Sequence, residues 1–116
     1  MTKNKLWVAV AVPLMITLLL FVLSPRVRAN AQENASAEVK IDNFSFGPQA
    51  LTVAVGTTVT WINRDDIPHT VVSTDGGFKS KVRDTDEKFS YQFDKPGTYS
   101  YYCSVHPKMI GKIVVQ

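Results

Sequence analysis

The sequence predicts an all-β fold, a Greek-key β-sandwich of seven to eight short strands, placed after an N-terminal signal or anchor helix. Three observations carry that expectation. From Val39 onward, apolar residues rich in Val, Ile and aromatics alternate with polar ones at period two. Clusters of Gly, Pro, Asn and Asp interrupt the alternation at strand-length intervals. No stretch after residue 36 shows a helical period.

The elements follow in order. Strands are expected around Val39 and Ile41, then Leu51, Val53 and Val55, then Val59 and Trp61. Further strands fall at Val71 and Val72, at Phe89, Tyr91 and Phe93, at Tyr99, Tyr101 and Cys103, and from Ile113 to Val115. Turns fit at Gly47-Pro48, Gly56, Asp65-Asp66, Asp75-Gly76-Gly77 and Lys95-Pro96-Gly97. Alternation places one face of each strand on a core and the other in water, the pattern of an antiparallel sandwich. The run Gly97-Thr98-Tyr99 after Asp94 also suits a tyrosine corner, in which the Tyr99 hydroxyl bonds upstream backbone. The segment 79–88 mixes four basic with three acidic residues and reads as a solvated loop or edge strand.

The N-terminus has a different character. Lys3 and Lys5 precede an uncharged apolar stretch of 18 residues, 6–23, followed by Ser24-Pro25 and the small residues Ala29-Asn30-Ala31. This is the arrangement of a secretory signal cut after Ala31, so residues 1–31 are expected to direct export. The stretch is also close to the length that crosses a bilayer, which makes an uncleaved membrane anchor the rival expectation. Residues 32–36 read as a flexible lead-in and 37–116 as the folded domain, large enough for one modest core.

Charge and cysteine content exclude several classes. The whole chain carries 13 basic and 10 acidic residues, a formal charge of +3. Lys3, Lys5, Arg26 and Arg28 lie ahead of the expected cut, which leaves nine basic residues against ten acidic ones. The basic balance therefore belongs to the export segment and gives no support for nucleic-acid binding. A single cysteine excludes an internal disulfide framework, and two histidines are too few for a Cys/His zinc module.

The residues with metal chemistry are few and concentrated. After residue 31 the chain has two histidines, one cysteine and one methionine: His69, His106, Cys103 and Met109. Three of them sit in the run Cys103-Ser104-Val105-His106-Pro107-Lys108-Met109. Two imidazoles and a thiolate in a trigonal plane, with a weak axial thioether, are the ligand set of a blue-copper electron-transfer site. Cys103 ends a strand whose alternate residues, Tyr99 and Tyr101, share its face, so its sulfur should point inward at one end of the sandwich. His69 lies on another connection that can reach the same end. Taken singly, each residue has an ordinary alternative: a buried cysteine as a small hydrophobe, a surface histidine, a methionine filling the core.

On these residues the chain from about Glu38 to Gln116 resembles the cupredoxins, and the stretches Ile67-Pro68-His69-Thr70-Val71 and Gly97 to Met109 most resemble amicyanins. The resemblance implies one type 1 copper ion, eight Greek-key strands, and a monomer shuttling single electrons in the periplasm between redox proteins such as a c-type cytochrome or a dehydrogenase. It further implies that His106 presents an exposed ring edge as the electron port and that His69 is buried. Three positions depart from the amicyanin pattern. Thr70 stands where an asparagine commonly ties two loops together. Lys108 replaces an aromatic residue near the docking surface. Val105 replaces a proline, which frees a backbone N–H that is able to reach the Cys103 sulfur.

Two other classes remain to be weighed. A copper carrier or storage protein on the same fold would use the same residues without electron transfer. Catalysis, by a zinc hydrolase on Cys103 and the histidines or by a Cys103/His106 nucleophile pair, needs an open coordination position with a base, or an oxyanion hole. The sequence carries a signature for neither, and a multicopper enzyme needs more histidines than two.

Overall fold

The computed structural model describes residues 35–116, so the expected signal segment, its cleavage point and residues 32–34 of the lead-in lie outside the described residues. Eight strands follow in order: β1 Ser36–Asp42, β2 Ser45–Gly47, β3 Ala50–Val53, β4 Thr57–Asn63, β5 Val72–Ser73, β6 Lys88–Phe93, β7 Gly97–Tyr102 and β8 Ile110–Val115. They form two four-stranded sheets, β2-β1-β4-β6 and β3-β8-β7-β5. The all-β Greek-key sandwich is thus the fold of the described residues.

Two details differ from what alternation suggests. The pairing is not wholly antiparallel, since β1 runs parallel to β4 and β3 runs parallel to β8. The chain turns back from β1 into β2, crosses to the second sheet as β3, and returns as β4 beside β1 in the same direction. Period two reports which face of a strand is buried and carries no information about the direction of its neighbour. The sequence pattern also passes over β2, whose single inward residue is Phe46. One buried residue makes no alternation.

The core lies between the sheets. Val39 and Ile41 of β1, Val59 and Trp61 of β4, Phe93 of β6, Tyr101 of β7, and Ile113 and Val115 of β8 are all buried. Trp61 sits among Phe78, Phe89, Phe93 and Tyr101, with ring centroids 5.3 to 6.3 Å away. Offset and edge-on aromatic contacts at such separations add to burial, which alone is worth about 25 cal/mol per Å² of apolar surface. Residues 74–87 form no ladder of their own and attach through isolated bridges, Val72 to Lys79 and His69 to Arg83. Phe78 and Ser80 face inward while Lys79 and Lys81 face water, so this segment is the solvated loop that its mixed charge suggests.

The tyrosine corner is present. The Tyr99 hydroxyl donates to the Lys95 carbonyl at 2.7 Å, pinning the β6–β7 turn. Tyr99→Phe is expected to cost about 1 kcal/mol of stability, the net worth of one such bond, read as a lower urea midpoint at unchanged slope.

Candidate metal centre

Three connections meet at one end of the sandwich: the β1–β2 turn with Asn43 and Phe44, the segment 64–71, and the β7–β8 loop 103–109. Each is held by backbone groups that its own sequence leaves unpaired.

Asn63, at the end of β4 and fully buried, shapes the second connection. Its Nδ2 donates to the carbonyls of Ile67 at 2.8 Å and Arg83 at 2.9 Å, and its Oδ1 accepts from Asp65 N at 2.9 Å. Three bonds from one amide fix a loop that has no ladder partner. His69 then exchanges both backbone bonds with Arg83, at 3.0 and 2.8 Å, and its ring is fully buried. In the third connection Cys103 N donates to Met109 O at 3.0 Å and Met109 N donates to His106 O at 2.8 Å. These two bonds curl the loop and bring Cys103, His106 and Met109 round to one place.

Thr70 ties the two loops together despite its short side chain. Ser104 N donates to Thr70 Oγ1 at 2.7 Å, and the two hydroxyls lie 2.7 Å apart. The link that the family resemblance assigns to asparagine is therefore made here by Thr70 and Ser104 together.

The donor atoms converge. His69 Nδ1 lies 3.7 Å and His106 Nδ1 3.9 Å from Cys103 Sγ, and one ligand atom from each of the three residues falls within 4.8 Å of the others. Nitrogen and sulfur donors sharing one ion in a trigonal plane, at roughly 2.0 and 2.3 Å, stand roughly 3.8 Å apart. The observed separations match that spacing. Met109 is buried in the same core cluster as Cys103 and lines the same surface depression as His106. Imidazole, thiolate and thioether are the donors that suit copper, so the residues fit the ion that the ligand pattern implies.

Electrostatics prepares the donors. Burial pushes the Cys103 thiol up, but the Thr70 N–H, the two imidazoles and the His106 N–H outweigh it and bring the thiol down to about 6. At neutral pH the sulfur is a thiolate, the form that binds metal. Thr70 N approaches it at 3.4 Å and the Thr70 hydroxyl at 3.8 Å. The expectation for Val105 is corrected here: the backbone N–H that bonds the sulfur is that of Thr70, on another connection, and the Val105 N–H is not among its partners. The β7–β8 loop turns the Val105 side chain, 47% exposed, to solvent.

Asp65 completes the surroundings of His69. Its Oδ2 lies 2.7 Å from His69 Nε2 and accepts the Nε2 proton, so Nδ1 is the ring nitrogen that faces the sulfur. Burial raises the Asp65 carboxyl, but the Phe44 N–H, His69 and the Asn43 N–H overcome that and hold it below the ordinary carboxylate value. The two imidazoles differ as expected, His69 buried and His106 half-buried. Around His106 lie Phe44, Val105, Pro107, Lys108 and Met109. Phe44 and Val105 are exposed apolar side chains, so the surface beside the half-buried imidazole is mainly apolar, with the Lys108 amine at its rim.

All four residues expected from the sequence, His69, Cys103, His106 and Met109, meet at this end. Asp65, Asn63 and Phe44 take part without having been expected. An acidic residue four positions ahead of His69 in a turn is the one sequence signal that Asp65 offered. Phe44 offered none, since one apolar residue in a turn is ordinary.

Comparisons with known proteins agree with this geometry. A family model, copper binding proteins of the plastocyanin/azurin family, matches residues 33–116. The amicyanin of Paracoccus denitrificans is 37% identical over 98 residues, covering 80% of this chain and 74% of the relative. Among solved structures, a purple cupredoxin from Nitrosopumilus maritimus superposes with a TM-score of 0.65 at 35% identity, covering 69% of this chain and 99% of that one. A copper-containing nitrite reductase from Thermus scotoductus superposes at 0.66 with 34% identity, but the match covers 70% of this chain and only 22% of the reductase. The chain belongs to the plastocyanin/azurin family of copper binding proteins.

Proposed function

We propose that the protein is a type 1 blue-copper electron carrier, whose copper would be held by His69, Cys103 and His106, with Met109 as a weaker fourth ligand. The observation that carries this reading is the convergence of two imidazole nitrogens on one buried thiolate, with one of the two rings reaching the surface. Bound copper supplies a one-electron couple between Cu(II) and Cu(I). The protein's own groups do the rest. Backbone bonds within and between the three connections hold the donors in one arrangement, which leaves little to reorganise when an electron moves. Hydrogen bonds from Thr70 to the sulfur temper its negative charge. His106, half-buried beside Phe44 and Val105, gives the electron a short path to a docked partner.

The partners in this reading are redox proteins, one donor and one acceptor, and the protein acts without catalysis. The expected signal segment 1–31 supports a periplasmic location in this reading, released or anchored. Lys108 at the docking surface stands where amicyanins carry an aromatic residue, so the partner surface should tolerate or favour a cation there. The test is the visible spectrum and voltammetry of the copper-loaded protein. An intense Cu(II)–thiolate band with fast, reversible one-electron voltammetry is expected, with the band lost in Cys103→Ala. A colourless site that holds Cu(I) tightly and resists oxidation would replace this reading with a copper carrier.

A further inference from the structure

Two consecutive residues of the β1–β2 connection, Asn43 at φ 49° and Phe44 at φ 56°, lie in the left-handed region. A two-residue hairpin turn of this kind suits Asn followed by Gly, and a bulky residue in the second place is strained. Such a conformation persists only where its surroundings hold it. Here one carboxylate holds both turn amides. Asp65 Oδ1 accepts from Asn43 N at 2.5 Å and Oδ2 accepts from Phe44 N at 3.0 Å. The same Oδ2 faces His69 Nε2 at 2.7 Å. The Phe44 ring, 52% exposed, stands edge-on to both imidazoles, with centroids 5.8 Å from His69 and 5.1 Å from His106.

We propose that Asp65 is a positioning residue with two linked tasks: it keeps His69 in the Nε2–H tautomer that frees Nδ1 for the metal, and it seats the strained turn so that Phe44 shields the imidazole pair. The proposal rests on the copper reading above. A carboxylate bonded to a ligand imidazole makes that ligand more basic and favours the more highly charged Cu(II), so Asp65 lowers the reduction potential. Glycine at position 44 would relieve the turn. The chain carries phenylalanine there, at a cost in strain, and the ring's contacts with both imidazoles supply the reason.

The test combines nitrogen NMR of His69 in the metal-free protein with redox titration of the copper-loaded protein. In the wild type, Nε2 of His69 is expected to carry a proton, with the Asn43 and Phe44 amides protected from exchange. Asp65→Asn removes the charge and can turn an amide N–H toward Nε2, so His69 should shift toward the Nδ1–H tautomer. Affinity for Cu(II) relative to Cu(I) should fall by about 10- to 100-fold, an upward potential shift of about 59 mV for each factor of ten. Asp65→Glu keeps the charge and should restore the tautomer and most of the potential. Phe44→Gly should keep or raise the unfolding midpoint while an external chelator removes Cu(I) faster. A His69 with no proton on Nε2, or unprotected turn amides, in the wild type overturns the proposal even if Asp65→Asn fails to fold. So does an unchanged potential in folded Asp65→Asn, or unchanged copper loss in Phe44→Gly. The tautomer is read without metal, so a wild type that binds no copper defeats the electron-carrier reading and leaves the His69 result to be judged on its own.

Discussion

Gly111→Ala is expected to destabilise the domain by about 3 kcal/mol, the upper end of what overpacking a core costs. Gly111 of β8 lies directly across the ladder from Tyr101 of β7. A methyl group at position 111 would come within 2.5 Å of both Cζ and the hydroxyl oxygen of Tyr101, and within 2.9 Å of Cε2. The ring has nowhere to go. It is fully buried, edge-on to Trp61 at 5.3 Å and to Phe46 at 4.7 Å, so relief requires the two strands to part or several aromatic rings to shift together. A domain of this size has on the order of 5–10 kcal/mol in total, so the loss is a large share of its stability. Equilibrium urea unfolding of the single variant measures it. Adding Tyr101→Leu to Gly111→Ala should recover part of the loss, a non-additivity that marks steric conflict between the two residues. A single variant within about 0.5 kcal/mol of wild type would show that the ring moves freely, against the packing described.

That glycine illustrates what a sequence pattern conveys. Val39, Ile41, Val59, Trp61, Tyr101 and Ile113 were legible as core because burial of one strand face forces period two, and each is buried as expected. Strand direction was not legible, because parallel and antiparallel neighbours impose the same alternation on β1 and β4. Neither was β2, whose one inward residue, Phe46, writes no pattern.

The same division runs through the site. His69, Cys103, His106 and Met109 stand out because metal chemistry restricts the side chains that can serve, and three of them fall within a single loop. The residues that hold them use chemistry open to many side chains. Asp65 is one of ten acidic residues, and its link to His69 and to the turn 21 and 22 positions away in sequence depends on how three connections meet. Thr70 was read as a departure from the family pattern, and its hydroxyl could be credited with tying the loops only once Ser104 was placed beside it. The Val105 N–H was available in sequence, yet the sulfur takes its backbone bond from Thr70, 33 positions away on another connection.

The metal-free protein is expected to gain stability as pH rises from about 6 to about 9, and the thiolate of Cys103 is the cause. Folding lowers this thiol from an ordinary value near 9 to about 6. Between those values the unfolded chain holds a proton on sulfur that the folded chain has released, so raising the pH favours the folded state. The contribution is complete above the unfolded value and is lost as pH falls through about 6, below which both states are protonated. One group in this window changes stability by up to about 1.4 kcal/mol per pH unit. Thermal or urea unfolding of the metal-free protein across the window, set against Cys103→Ser, isolates the effect, because every other titrating group is common to both. The wild type should show the extra slope and the serine variant should not; parallel curves would mean that the sulfur stays protonated at neutral pH. The same proton governs loading. Above pH 6 the sulfur meets an incoming ion already as a thiolate, whereas in more acidic solution the ion must displace a proton and its affinity falls accordingly. The bonds from Thr70 and His106 that keep the empty site anionic thus oppose folding at no pH in this range, and they make the folded, metal-free chain ready to take up copper at neutral pH.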